Sequence, residues 1–308
     1  MGAGAVIGKQ IIIMFIILLL GAVCHLRGLI TKEGTKSLSI VELNIVNPVL
    51  IFMSYQTDYQ PALMKGLLWA FLLSAVSFAL AIALSYVLVR KSERYCVIQR
   101  FSVVYSNCGF MGIPLISNIY GSEGVLYLTA YVTLFNLLVW THGYMMMKGQ
   151  RDFSSFVKAL RSPSVIAVFA GFLFYVFKVH LPEIPYKSLE YISSINTPMA
   201  MLIAGATVAQ TNIFKALTKS IQIYKVCMVK LLIVPLVTLG VIMLIPAPDM
   251  VKMVVTIAAG CPVATTGTMF AITMDRHPQK CSEFFAVTTV LSGLTLPLVT
   301  ALGDNLLR

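Results

Sequence analysis

Apolar stretches of membrane length follow one another along almost the whole chain, and charged residues fall nearly always between them. A helix needs about 20 mostly apolar residues to cross a bilayer. Such stretches lie at residues 10–27, 38–56, 66–89, 97–118, 123–147, 162–179, 188–210, 221–245, 251–273 and 281–303. The chain is 58% hydrophobic and 11% charged, where an ordinary globular domain is roughly 45–50% apolar and about 25% charged. No soluble core of 308 residues hides that much apolar surface. Lipid is therefore the solvent, and the expected fold is an all-α membrane protein with ten transmembrane helices. The first stretch, from Ile11 to Cys24, has no small-x-small cleavage site behind it and is expected to remain as a span.

Basic residues cluster in alternate connections. Arg27, Lys32 and Lys36 follow segment 1, and Arg90, Lys91, Arg94 and Arg100 follow segment 3. Lys148, Arg151, Lys158 and Arg161 follow segment 5, and Lys215, Lys219 and Lys225 follow segment 7. The other connections hold few. Lys and Arg favour the cytoplasmic side, so both termini are expected outside a plasma or inner membrane. Contact with anionic headgroups accounts for the net charge of +11 without nucleic acid.

The segments divide into a first repeat at 1–147, a basic cytoplasmic connector at 148–161 and a second repeat at 162–308. Five spans is an odd number, so the second half enters the membrane with opposite polarity. Halves that share a fold are then inverted repeats. Asn47-Pro48 in segment 2 matches Asn196-Thr197-Pro198 in segment 7, and Pro114 in segment 4 matches Pro262 in segment 9.

Segments 4 and 9 are each interrupted, by Asn107-Cys108-Gly109-Phe110-Met111-Gly112-Ile113-Pro114 and by Gly260-Cys261-Pro262-Val263-Ala264-Thr265-Thr266-Gly267. Unwound backbone is tolerated at membrane depth only where protein or a wet cavity satisfies it. Small residues also serve helix packing, but matched breaks in two halves point to a transporter's binding site at the midplane. Proline removes a helix donor and crowds the preceding turn, so Pro114 and Pro262 are expected to hold the helices open. The half-helix N-termini so created attract an anion, and carboxylates suit them.

The expected ligand contacts are Ser106, Asn107, Cys108, Gly109, Gly112 and Pro114 in segment 4, with Gly260, Cys261, Pro262, Thr265 and Thr266 in segment 9. Asn107 would donate through its amide. Thr265 and Thr266 would donate through hydroxyls or, with freed carbonyls, hold a coupling cation. No Lys or Arg lies at either break in sequence, so the ligand is expected to be held by dipoles and not by an ion pair.

Asn47, Pro48, Asn196 and Pro198 either line the cavity or shape kinks. Lys230 is expected to snorkel to the interface, Glu42 to pair with a loop lysine, and Gln210 to be solvated. His25, His142 and His180 fall at span ends. The six cysteines show no metal-ligand spacing, and neither metal nor cofactor is expected. An enzyme is disfavoured, since H-E-x-x-H, C-x-x-C and paired acids at depth are missing.

Residues Ser106 to Leu115, followed by Tyr120-Gly121-Ser122-Glu123-Gly124, resemble the auxin efflux carrier family, which includes microbial malate and malonate permeases and the plant PIN carriers. Lys230 to Pro235, Ser282 to Phe285 and Leu296-Pro297 resemble its later spans. The resemblance implies two inverted five-helix repeats with broken crossover helices 4 and 9. It implies a scaffold of spans 1, 2, 6 and 7, an elevator-like transport domain of spans 3, 4, 5, 8, 9 and 10, and a homodimer through the scaffold. A substrate carboxylate would meet Asn107. The chain departs from the plant members in lacking an acid within segment 3, beside Lys65, and in lacking their long cytoplasmic loop. The expected function is secondary transport of small organic anions, mono- or dicarboxylates. The alternative is an ion-coupled exporter of neutral or aromatic solutes through the same pocket. The coupling ion, H⁺ or Na⁺, is left open.

Overall fold

The computed structural model describes residues 3–149, 161–212, 216, 218, 221–274 and 276–307, so most of the expected basic connector lies outside the described residues. In chain order the helices are α1 (Ala3–Leu26), α2 (Lys32–Ser54), α3 (Pro61–Leu88), α4 (Cys96–Val104), α5 (Cys108–Lys148), α6 (Pro163–Val176), α7 (Glu183–Ala209), α8 (Ile221–Ile242), α9 (Asp249–Gly260), α10 (Thr266–Thr273) and α11 (Pro278–Leu306). Six of these, α2, α3, α5, α7, α8 and α11, are long and apolar enough to cross a membrane. Ile12–Leu26 and Pro163–Val176 are shorter apolar helices. Among the described residues the one non-helical pairing is an isolated antiparallel bridge. Segments 4 and 5 run together in α5 but fold over at Gly121, whose φ of +63° and ψ of −155° only glycine takes without strain.

Proline placement explains most of the local irregularities, although a fourth π-turn at Val139–Gly143 has no proline after it. A wide π-turn occupies Glu42–Val46, Cys108–Gly112 and Val229–Ile233, and in each case a proline follows two residues later, at Pro48, Pro114 and Pro235. The proline ring crowds the carbonyl one turn back, and an extra residue in that turn relieves the crowding. Pro114 therefore does not sit at the break in segment 4, as the sequence suggested. It stabilises the start of the straight helix beyond the π-turn, and the chain unwinds earlier, at Tyr105–Asn107.

Packing sorts the helices. α1 lies along the second half of α7, with Gly21 against the backbone of Leu202 and Gly205 against that of Leu18. α2 packs on α6, where Phe52 meets Phe174 edge-on at 5.2 Å. α3 contacts α4, α5, α8 and α9, and α9 contacts α11. Ile12, Ile16, Leu19 and Val23 of α1 stay exposed, as do Leu294 and Leu298 of α11. In a membrane protein such surface faces lipid.

Candidate functional site

The two breaks cross and bond to each other. Ser106 stands opposite Val263 in the antiparallel bridge. Asn107 N donates to Pro262 O over 2.7 Å, and Ala264 N donates to Tyr105 O over 3.0 Å. The groups released when each helix unwinds thus satisfy one another, as backbone at membrane depth requires. Ser106, Asn107, Cys108, Gly112, Pro114, Gly260, Cys261 and Pro262 are all buried here, while Gly109, Thr265 and Thr266 are half-buried. A Cβ on Gly112 would lie 3.4 Å from Cys108 Cβ and 3.5 Å from Cys261 Sγ, so the cysteines of the two halves flank one point. Val263 N receives the hydroxyl of Thr288 from α11 as its acceptor, at 3.1 Å.

A cation reaches the crossing from elsewhere in the chain. Lys230, on the π-turn of α8, is fully buried. Its ammonium donates to Ser106 Oγ over 2.5 Å and to Ala259 O over 3.2 Å. Ser106 Oγ in turn donates to Ala259 O over 3.2 Å and lies 3.4 Å from the hydroxyl of Tyr131. This overturns the expectation that Lys230 snorkels to an interface, and with it the expectation that no basic side chain serves the breaks. The turn preceding Pro235 aims the lysine inward. Among the described residues it makes no ion pair with an acid. A charge within five residues before a span proline was the signal in the sequence.

The crossing also holds unused donors. Asn107 Nδ2 is buried with no partner among the described residues, and so is Thr266 Oγ1. The carbonyl of Asn107 instead accepts from Met111 N and Gly112 N, at 3.1 and 3.3 Å. The arrangement is an unsatisfied amide donor and a hydroxyl on two facing chain segments, with the lysine of α8 reaching in beside them. Chemically it favours an acceptor of negative charge.

A second polar cluster lies beside it. Asn47 and Asn196, matched in the two halves, are both buried and joined by a hydrogen bond from Asn196 Nδ2 to Asn47 Oδ1. Asn196 Nδ2 also donates to Glu42 Oε1 over 2.8 Å. Glu42 is fully buried, so it does not pair with a loop lysine as expected; its turn precedes Pro48 and faces α7. Pro48 is buried, whereas Pro198 is exposed. Gln210 is exposed, as expected, and also donates to Thr35 Oγ1 over 3.3 Å. His142 is drawn inward, its Nδ1 2.9 Å from the hydroxyl of the buried Tyr105.

The family model described as "Membrane transport protein" matches residues 6–154 and 151–300 of the chain. An uncharacterized transporter of Methanothermobacter thermautotrophicus is 25% identical over 299 residues, covering 94% of this chain and 96% of its own. An uncharacterized transporter of Methanocaldococcus jannaschii is 24% identical over 211 residues, covering 65% of this chain and 68% of its own.

Proposed function

Because the chain belongs to the membrane transport protein family, the family of auxin efflux carriers, we propose that it is a secondary carrier of small organic anions, mono- or dicarboxylates. The family makes it a transporter and not an enzyme. The observation that carries it is the Asn107 donor, unpartnered among the described residues, at a crossing that also holds Lys230 with no acid beside it among those residues. A carboxylate supplies both the missing acceptor and the missing counter-charge. Asn107 binds it directly, Thr265 and Thr266 line the same side, and Ser106 with Lys230 holds the positive potential in place.

Ten spans in two inverted repeats fit this reading, since two breaks related by a twofold axis pair antiparallel, as 105–107 and 262–264 do. So does an elevator-like division. The close packing of α1 on α7 and of α2 on α6 suits a scaffold, and the contacts among α3, α4, α5, α8, α9 and α11 suit a moving body. The orientation with both termini outside and a homodimer through the scaffold belong to the same proposal.

The test is the thermal stability of the purified protein against a panel of small carboxylates, with and without Na⁺ and at two pH values. A ligand at a hundredfold over its dissociation constant adds about 2.7 kcal/mol. A carboxylate-specific rise in Tm that vanishes in Asn107→Ala is the expected result. No rise with any carboxylate, but one with neutral or aromatic solutes, favours the alternative exporter.

A further inference from the structure

Glu42, Asn47 and Asn196 bring three buried polar side chains together from the two halves of the chain, and their hydrogen bonds do not balance. The Asn196 amide nitrogen serves both Glu42 Oε1 and Asn47 Oδ1. Glu42 Oε2 and Asn196 Oδ1, both buried and both acceptors, have no partner among the described residues. An acceptor left unpartnered in an apolar interior is costly, and an unpaired carboxylate charge more so.

Among the described residues, none of the elements packed on Glu42 supplies a counter-charge. The elements packed on the Glu42–Val46 turn are the rest of α2, α6 and the second half of α7. Residues 196–209 of α7 contain no titratable side chain, and α6 contains only Tyr175, whose hydroxyl is bonded to the backbone of Gln60. On α2 itself Lys32, Glu33 and Lys36 are exposed. In the first half of α7, Lys187 and Glu190 pair with each other at the surface.

We infer that Glu42 and Asn196 form a proton-binding site, a carboxylic acid paired with an amide, and that this proton is the coupling ion of transport. A proton added to Oε2 turns that oxygen from acceptor to donor. The acceptor it finds is Asn196 Oδ1, on the amide whose nitrogen already holds Oε1. Acid and amide then close a ring of two hydrogen bonds, and one proton satisfies both unpartnered atoms. On release the O–H bond breaks, the proton passes to water on the open side, and a carboxylate of charge −1 remains. A metal cation fits less well, because hard cations gather roughly six or more oxygens. Glu42 and two amides offer fewer, and no cluster of three His, Cys, Asp or Glu occurs among the described residues.

The site is close enough to bear on the crossing. A Cβ on Gly109 would lie 3.7 Å from Asn47 Nδ2, and the second half of α7 packs on the Cys108–Gly112 turn. Asn47, bonded to the amide of Asn196, thus stands between the acid and the segment that carries Asn107. Protonation neutralises Glu42 and changes what that segment meets as it moves. The coupling role rests on the transport reading above; the protonated acid does not.

Infrared spectroscopy of the purified protein at neutral pH, without added solute, tests the site. The carbonyl stretch of a protonated carboxylic acid is expected in the native protein, lost in Glu42→Gln, and shifted but retained in Asn196→Ala. Its absence from the native protein, or its replacement by a carboxylate band on adding Na⁺, overturns the proton site. In proteoliposomes, uptake of malonate driven by a pH gradient is expected to be lost in Glu42→Gln while malonate exchange at equal pH persists. Persistence of gradient-driven uptake in Glu42→Gln overturns the coupling role. If malonate binds nowhere, the substrate reading fails, and the infrared result still decides the acid–amide pair.

Discussion

The ammonium of Lys230 donates to the hydroxyl of Ser106 over 2.5 Å, joining α8 to the first of the two crossing breaks. Residues 124 positions apart in sequence thereby place a basic side chain where two unwound chains meet. Burying a lysine that has no acid partner among the described residues costs several kcal/mol in desolvation.

Lys230→Met separates folding from anion binding. It removes the desolvation cost but also two hydrogen bonds, to Ser106 and Ala259, each worth about 1.5–3 kcal/mol when charged. Folding is therefore expected to change by less than about 2 kcal/mol in either direction. The rise in Tm with carboxylates is expected to disappear. Thermal unfolding of the variant with and without ligand checks both halves, and a full ligand response in Lys230→Met removes the lysine from the anion site.

Gly205→Ala attacks the α1–α7 contact without touching the crossing. An added Cβ would run into the backbone oxygen of Leu18, which no side-chain rotation relieves. Overpacking of this kind costs about 1–3 kcal/mol or more. Small residues are what let membrane helices approach this closely. A lower Tm in detergent is expected, while an unchanged Tm means the two helices are not held as closely as they lie here.

Pro114→Ala restores a backbone donor and removes the reason for the π-turn at Cys108–Gly112. The helix is expected to relax toward regular winding, which turns Asn107 and Gly109 away from their present directions. Stability is expected to stay within about 1 kcal/mol. Carboxylate affinity is expected to fall, as a titration by thermal shift or calorimetry measures.

Glu93, in the connection between α3 and α4, pairs with Lys225 near the start of α8 at 2.5 Å. The hydrogen bond and charge of Lys225, with a bond from Arg90 N, hold its carboxyl below the usual range. A carboxyl depressed on folding stabilises above its unfolded pKa and loses that effect as pH falls through its folded value. Both side chains are partly exposed, so the contribution is about 1 kcal/mol or less. Glu93→Gln is expected to lower Tm slightly at neutral pH and to match the native protein in strong acid. Curves of Tm against pH that stay parallel throughout contradict the pair's role.

Much of this was legible in the chain itself. Apolar length marks the helices, because lipid leaves the backbone no other partners. The two interruptions mark the crossing, because Gly and Pro in a membrane helix free groups that something must satisfy. Prolines 48, 114 and 235 mark three of the four irregular turns among the described residues, although Pro114 stands beyond the break itself. Asn107 was readable as a residue of the break, since it precedes the Gly-rich stretch where the helix gives way.

Glu42 and Lys230 were not. Each lies in an otherwise apolar segment where hydropathy is an average, and the average says nothing of direction. A long side chain one or two turns from an interface either reaches back to water or turns inward. Which it does depends on a widened turn that rotates it and on the helix that packs against it. The pairing of Tyr105–Asn107 with Pro262–Ala264 is equally a product of the assembled fold. The sequence determined that the chain is a multi-pass helical membrane protein and where its helices give way, because those follow from each segment's own chemistry. Only the tertiary structure decided which charges share the interior, because that depends on how segments more than a hundred residues apart are set against one another.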